Sequence, residues 1–399
     1  MSEGGEEDGT SGAPPGATLG EDWRIIESLL PAGWMEMARE LGAFRRARGF
    51  ADARALLRVM LIHLADGCGL RETAVRAALA GLADVTDVAL LKRLKSCERW
   101  FEWMAQQLRE PLPLRERDAS EAARDGAPPA LGARRLRVVD GSIVREPGPT
   151  GSQWRLHYAI GLPGLACQEV LLGPSSDGET LKRFSVQAGD IFIADRGYAH
   201  AGGVAHVRRH AGDVIVRMNL VTLPLYTPGS TQPFDILSHA RGLKAGKACA
   251  WAVSVRPKGA APIAGRLCAV RKSATAAKAA RERVRRESLR GGHEVRPETL
   301  EAADYVFVFT TLSDDIGAEQ VLSVYRLRWQ IELEFKRLKS LIQLGHLKKH
   351  DDQAARSWLQ GKLLVALLIA RLIHHAERVS PWGYDISALP STPQPLPMA

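Results

Sequence analysis

What this chain lacks narrows the field before any motif is read. Its five cysteines, Cys68, Cys97, Cys167, Cys249 and Cys268, are scattered along 399 residues with no CxxC pair and no metal-ligand spacing. That argues against a disulfide framework or a zinc site and fits reduced, mostly buried thiols. Long hydrophobic runs are also missing: the longest apolar stretch, near Leu363 to Ile373, is too short to span a bilayer and contains Arg371. The opening residues, MSEGGEEDGTSGAPPG, have neither the basic start nor the apolar run of a secretion signal. These absences point to a cytoplasmic protein without a membrane role.

Negative charge is in deficit as well. The net charge is +9, and the first 22 residues hold six acidic residues and no Lys or Arg, so the rest of the chain carries +15. Such an excess favours a polyanionic partner, nucleic acid ahead of an anionic membrane. What is present in quantity is ordinary: 45% hydrophobic residues, and a length that allows two or three domains with a sizeable core.

Composition and periodicity divide the chain into seven segments. Residues 1–22 read as a disordered acidic tail. Residues 23–110 are helical throughout, with LLRVMLIHLADG and WFEWMAQQL as the clearest core helices and His63 a packed histidine rather than a ligand. Within them LRETAVRAALAG and ADVTDVALLKRLK read as two helices joined by a turn, with Thr86 or Asp87 as N-cap and Lys92, Arg93 and Lys95 clustered late in the second. This fits a helix-turn-helix laid on DNA, and equally a simple packed pair. Residues 111–134 read as a linker, and 135–218 as a mixed sheet with packed helices. The latter opens with a meander whose turns fall at Gly148, Pro149 and Gly151, then Pro163 and Gly164. Residues 219–303 form an inserted β-rich subdomain containing the basic helical stretch RKSATAAKAARERVRRESLR. Residues 304–378 return to the sheet with a buried strand, YVFVFTTL, and C-terminal helices expected to pack on it; 379–399 read as a flexible tail.

The carboxylates carry the chemistry. Asp140 closes RLRVVD before Gly141, and Asp195 closes IFIAD before Arg196 and Gly197. A carboxylate at the C-terminal end of a buried strand lies where ligands bind a sheet, although an Asp capping a strand-end turn is common, as expected of Asp190. Downstream, Tyr325 to Lys339, YRLRWQIELEFKRLK, reads as one helix. Tyr325, Arg328, Glu332 and Lys339 fall within about 60° of arc, beside an apolar stripe of Val324, Leu327, Ile331, Phe335, Leu338 and Ile342. Glu334 points elsewhere. Two aspartates and a helical glutamate could hold a pair of hard divalent cations for in-line displacement at phosphorus, with Arg328 and Lys339 as a cationic rim.

With these blocks in order, the sequence resembles the bacterial insertion-sequence DDE transposases, specifically the "insertion sequence four" family. Tyr325, Arg328, Glu332 and Lys339 match the family's Tyr-x2-Arg-x3-Glu-x6-Lys spacing. VVDGS and IADRGY resemble its two Asp blocks. The resemblance is strong over about residues 135–350 and looser in the helical block, and the 136 residues between Asp195 and Glu332 leave room for the family's β-strand insertion. It implies an α/β, RNase H-like catalytic core interrupted by a β-rich subdomain and preceded by an all-α N-terminal domain. It further implies catalysis and metal binding by Asp140, Asp195 and Glu332, two Mg²⁺ ions with Mn²⁺ as a substitute, and DNA contacts from Tyr325, Arg328, Lys339 and Arg196. Double-stranded DNA, both terminal inverted repeats and target, would be the partner of a homodimer in a nucleoid-associated synaptic complex. Family members commonly excise through a hairpin, for which an inserted aromatic receives a flipped base; Trp251 is the candidate, with a packed strand aromatic as the alternative. Ser142 stands where the family often has Thr, and only 67 residues follow Glu332. A nuclease that cuts without joining and a non-catalytic DNA-binding regulator remain open.

Overall fold

The computed structural model describes residues 23–109, 131–132, 134–145, 153–162, 166–344, 347 and 351–379. The proposed tails, nearly all of the linker and the turn residues Gly148, Pro149, Gly151, Pro163 and Gly164 lie outside them. Two compact units emerge, one built from the chain up to Glu110 together with Ser340 onwards, the other from Pro111 to Lys339.

In the first unit the helical periodicity resolves into α1 (Trp34–Glu40), α2 (Ala53–Ala65), α3 (Leu70–Leu79), α4 (Asp87–Ser96) and α5 (Glu98–Leu108). Side-chain oxygens satisfy the first free amides: Asp52 accepts from Ala55 N–H at 2.7 Å and Thr86 from Ala89 N–H at 3.2 Å. The core is made by the apolar stripes, among them Leu56, Leu57, Leu90, Leu94, Trp100 and Phe101, all fully buried. His63 is buried with Nδ1 hydrogen-bonded to the Cys68 carbonyl at 2.7 Å, as a packed histidine should be.

The second unit is a single nine-stranded sheet: β1 (Arg135–Arg145), β2 (Gln153–Leu162), β3 (Ala166–Pro174), β4 (Asp190–Ala194), β5 (Asp213–Arg217), β6 (Leu225–Tyr226), β7 (Ala248–Val255), β8 (Ile263–Arg271) and β9 (Tyr305–Thr310), in spatial order β3-β2-β1-β4-β5-β9-β8-β7-β6. β1 to β3 form an antiparallel meander, while β1, β4 and β5 run parallel to one another, so their C-terminal ends share one edge. Helix α6 (Ala201–Arg209) makes the crossover from β4 to β5. The inserted segment adds α7 (Ile236–Ala240), β6 to β8, α8 (Ala274–Gly291) and α9 (Pro297–Ala302). Its strands are continuous with the rest of the sheet, because β8 pairs with β9 and β9 with β5. Arg137 and Arg135 ion-pair with the buried Asp190, whose carboxylate also accepts Gln187 N–H at 2.8 Å, the ordinary structural use expected of it.

Three expectations need correction. Asp140 does not end a strand; β1 continues past it to Arg145 because β2 pairs along its whole length. What ends there is the parallel pairing to β4, whose last pair is Val139–Ala194. The Tyr325–Lys339 segment is two helices, α10 (Ala318–Arg326) and α11 (Trp329–Leu341). The chain tightens between them into i→i−3 bonds, Arg328 N–H to Tyr325 O at 3.1 Å and Ile331 N–H to Arg328 O at 3.2 Å, which shifts the phase of the second half against the first. Finally α12 (Asp352–Val379), expected to pack on the sheet, belongs to the first unit and packs there on α5, α2 and α4. Its apolar face completes the helical core: the Ser357 hydroxyl donates to the Leu94 carbonyl, and Gly361 leaves room for Leu64 and Phe101. A domain drawn as 304–378 therefore runs across both units.

Candidate active site

Asp140 and Asp195 meet at the shared edge because β1 and β4 are adjacent and parallel. Asp195 is the first residue past β4 and Asp140 the first past their common pairing. Gly141 N–H donates to Asp140 Oδ1 at 2.8 Å, fixing one oxygen of a largely enclosed carboxyl. Burial pushes that carboxyl up to about 6, and Glu179 and Asp195 add to the rise against the opposing pull of the Gly141 amide and Arg328.

The break between α10 and α11 brings the third acid in. Tyr325, buried at the end of α10, donates from its hydroxyl to Asp195 Oδ1 at 3.4 Å; burial first, then the Asp195 charge, raise the phenol to about 12. Arg328 sits at the break and reaches Asp140 Oδ2 at 3.5 Å with one nitrogen, and Glu332 Oε1 one turn along α11 with another. One guanidinium thus joins the first and third carboxylates, and Arg217, the last residue of β5, stands 4.0 Å from Asp195. Glu332 is half exposed. The apolar stripe holds the helices in place: Val324, Ile331, Phe335, Leu338 and Ile342 are buried, and Phe335 packs on Tyr158 with ring centroids 5.9 Å apart.

Other candidates stand apart from this group. Lys339 lies exposed in the last turn of α11, with no hydrogen bond or ion pair to the carboxylates among the described residues. Arg196 is exposed and faces Glu287 of α8 at 4.0 Å. Glu334, expected to point away, is mostly enclosed, and burial raises its carboxyl despite Arg337 at 3.7 Å. Trp251 is half-buried on β7 against Phe234 and His239, which fits the packed alternative. In the first unit Lys92 is exposed on a groove of about 900 Å³ that Arg45, Arg46, Arg48 and Arg99 also line. Arg93 is engaged inward, donating to the carbonyls of Arg46 at 2.5 Å and Arg48 at 3.3 Å between the rings of Phe44 and Phe50. Lys95 pairs with Asp351 at 3.1 Å.

Sequence reasoning passed over Arg217 and Glu179. Glu179 lies outside any strand, before a single 3₁₀ turn at Leu181–Arg183, and no spacing pattern marks it. The donor set is all carboxylate oxygen, the kind a hard divalent cation takes. Among the described residues no three acids, histidines or cysteines are gathered closely enough to hold a metal as they stand, and Arg328 bridges Asp140 and Glu332.

Comparison with known proteins agrees with this geometry. A family model described as a transposase DDE domain matches residues 132–368. The InsL protein of insertion sequence element IS186A, from Escherichia coli (strain K12), is 38% identical over 344 residues, 84% of this chain and 89% of that protein. The transposase for insertion sequence element IS421 of Escherichia coli is 37% identical over 345 residues, with the same shares covered. With a match of that extent over the whole sheet and both helices of the site, this chain belongs to the insertion-sequence DDE transposases, enzymes that cut and join DNA.

Proposed function

We propose that this chain cuts DNA at the ends of an insertion sequence and joins the freed end to a target duplex, with Asp140, Asp195 and Glu332 as its catalytic and metal-holding carboxylates. The observation that carries the reading is the convergence of Asp140, Asp195, Tyr325, Arg328 and Glu332 on one sheet edge, with Arg328 contacting Asp140 across 188 residues of chain. The order β3-β2-β1-β4-β5, with its antiparallel meander and parallel half, supports an RNase H-like core. The Tyr-x2-Arg-x3-Glu-x6-Lys spacing supports the "insertion sequence four" group.

Two Mg²⁺ ions, or Mn²⁺ in their place, would supply Lewis-acid stabilisation of the attacking and leaving oxygens at phosphorus. Asp140, held on one oxygen by the Gly141 amide, and Asp195, held by the Tyr325 hydroxyl, present their remaining lone pairs at the edge. Arg328 is the residue positioned to exchange carboxylates for a DNA phosphate, since a planar guanidinium matches both. On that exchange Glu332, the more exposed member of the pair, is free to join the two aspartates. Lys339, Arg196 and Arg217 provide the cationic surroundings that hold the polyanion, Lys92 and Lys95 offer backbone contacts, and paired copies of the chain assemble the two ends.

Asp140→Asn keeps the size of the side chain and removes its charge. It should abolish cleavage and joining of end-bearing duplex while leaving the gel-shift affinity for that duplex intact, and unchanged strand transfer would sink the assignment. A pre-nicked end offered to the parent protein separates joining from cutting, because only a transposase links it to target DNA.

A further inference from the structure

We propose that Glu179 is a fourth carboxylate of the catalytic centre, a positioning residue that acts through water on the cation held by Asp140 and Asp195. The inference rests on the metal-dependent reading above. Its first support is steric. A Cβ at Gly141 would come within 3.0 Å of Glu179 Oε1, and one at Gly197 would collide with Oε2. Gly141 directly follows Asp140 within β1 and Gly197 lies two residues after Asp195, so the Glu179 carboxylate sits against the backbone beside both acids.

The second support is the way Glu179 is paired. Arg155 of β2 donates to Oε1 at 2.8 Å, which leaves Oε2 against Gly197. The side chain stays 28% exposed, enough for water to reach it. Tyr198 and His157 are buried and joined at 3.5 Å between hydroxyl and Nδ1, and the Tyr198 hydroxyl, like Glu179 Oε1, lies close to Gly141. Carboxylates placed behind the direct ligands of a metal orient them and raise its affinity.

Two substitutions move the charge in opposite directions. Glu179→Gln keeps the shape and the contact with Arg155, whereas Arg155→Met leaves Glu179 in place without its cation. Mn²⁺ binding to the DNA-free full-length protein is followed by calorimetry and by the electron paramagnetic resonance signal of free Mn²⁺, with thermal melts as the check on folding. E179Q should bind Mn²⁺ about tenfold more weakly than the parent and R155M about threefold more tightly, with E179Q melting as the parent does. A purely structural pairing would move the melting temperature and leave Mn²⁺ affinity alone. An E179Q protein binding Mn²⁺ within about twofold of the parent, or an R155M protein binding it no more tightly, overturns the proposal. D140N in the same titration keeps the two readings apart: if it too leaves Mn²⁺ binding unchanged, the metal-dependent function fails, and if it alone weakens binding, only the role of Glu179 does.

Discussion

Two glutamates on one turn of α11 have different surroundings. Glu332 is half exposed and held by Arg328, so replacing it should cost chemistry and not stability. Glu334 is mostly enclosed, with its carboxyl raised by burial, so at neutral pH the folded state carries a carboxylate that the unfolded state accommodates more easily. Such a group destabilises the fold above its raised pKa, and the cost shrinks as pH falls below it, vanishing once the unfolded-state carboxyl is protonated too. We expect Glu332→Gln to lower cleavage by at least about a hundredfold with an unchanged melting temperature. Glu334→Gln should keep most of the activity and melt at the parent temperature or above it at pH 7. Parallel cleavage assays and thermal melts compare the two. The contrast was only partly legible: helical spacing separated their directions, but how deeply Glu334 is enclosed depends on what packs over it.

At the scale of elements, the close approach of α12 to the helical block turns on Gly361. A Cβ there would lie 2.5 Å from Leu64 Cδ1, 2.9 Å from its Cδ2 and 3.2 Å from Phe101 Cδ2, and both neighbours are fully buried. Neither can give way without moving α2 or α5. Gly361→Val should therefore destabilise the first unit by about 1–3 kcal/mol through overpacking, read as a lower midpoint in urea unfolding followed by tryptophan fluorescence. The stripe that makes α12 a helix is plain in the sequence. Its docking surface is not, because a face of Ala, Leu and Val suits a sheet as well as a bundle. The break at Leu327–Arg328 was equally hidden: no Pro or Gly marks it, and local propensity favours the uninterrupted helix that spacing alone predicts.

For the whole molecule, the excess of +15 outside the acidic tail implies DNA binding that weakens as salt rises, with a slope set by the number of phosphates neutralised. Lys92 and Arg93 test where that charge is used. Lys92 is exposed on the basic groove, so Lys92→Ala should reduce the slope of log affinity against log salt by about one without changing the melting temperature. Arg93 braces the 44–50 segment through two carbonyls and two rings, so Arg93→Ala should cost about 1–3 kcal/mol of stability. Fluorescence anisotropy across a salt series, beside melts of both variants, distinguishes the roles.

The sequence by itself determined what local chemistry can encode. Strand and helix periods, the caps at Asp52 and Thr86, the two Asp blocks and the spacing from Tyr325 to Lys339 all depend on neighbours a few residues apart. Tertiary structure alone decided what depends on distant partners. Parallel pairing of β1 with β4 turned a mid-strand Asp140 into an edge residue, and the inserted strands joined the same sheet through β8 and β9. Glu179, Arg217 and the bridge of Arg328 between Asp140 and Glu332 likewise appear only once segments far apart in the chain share one edge. The physical reason is that burial and Coulomb interaction act through space, and a sequence records order along the chain.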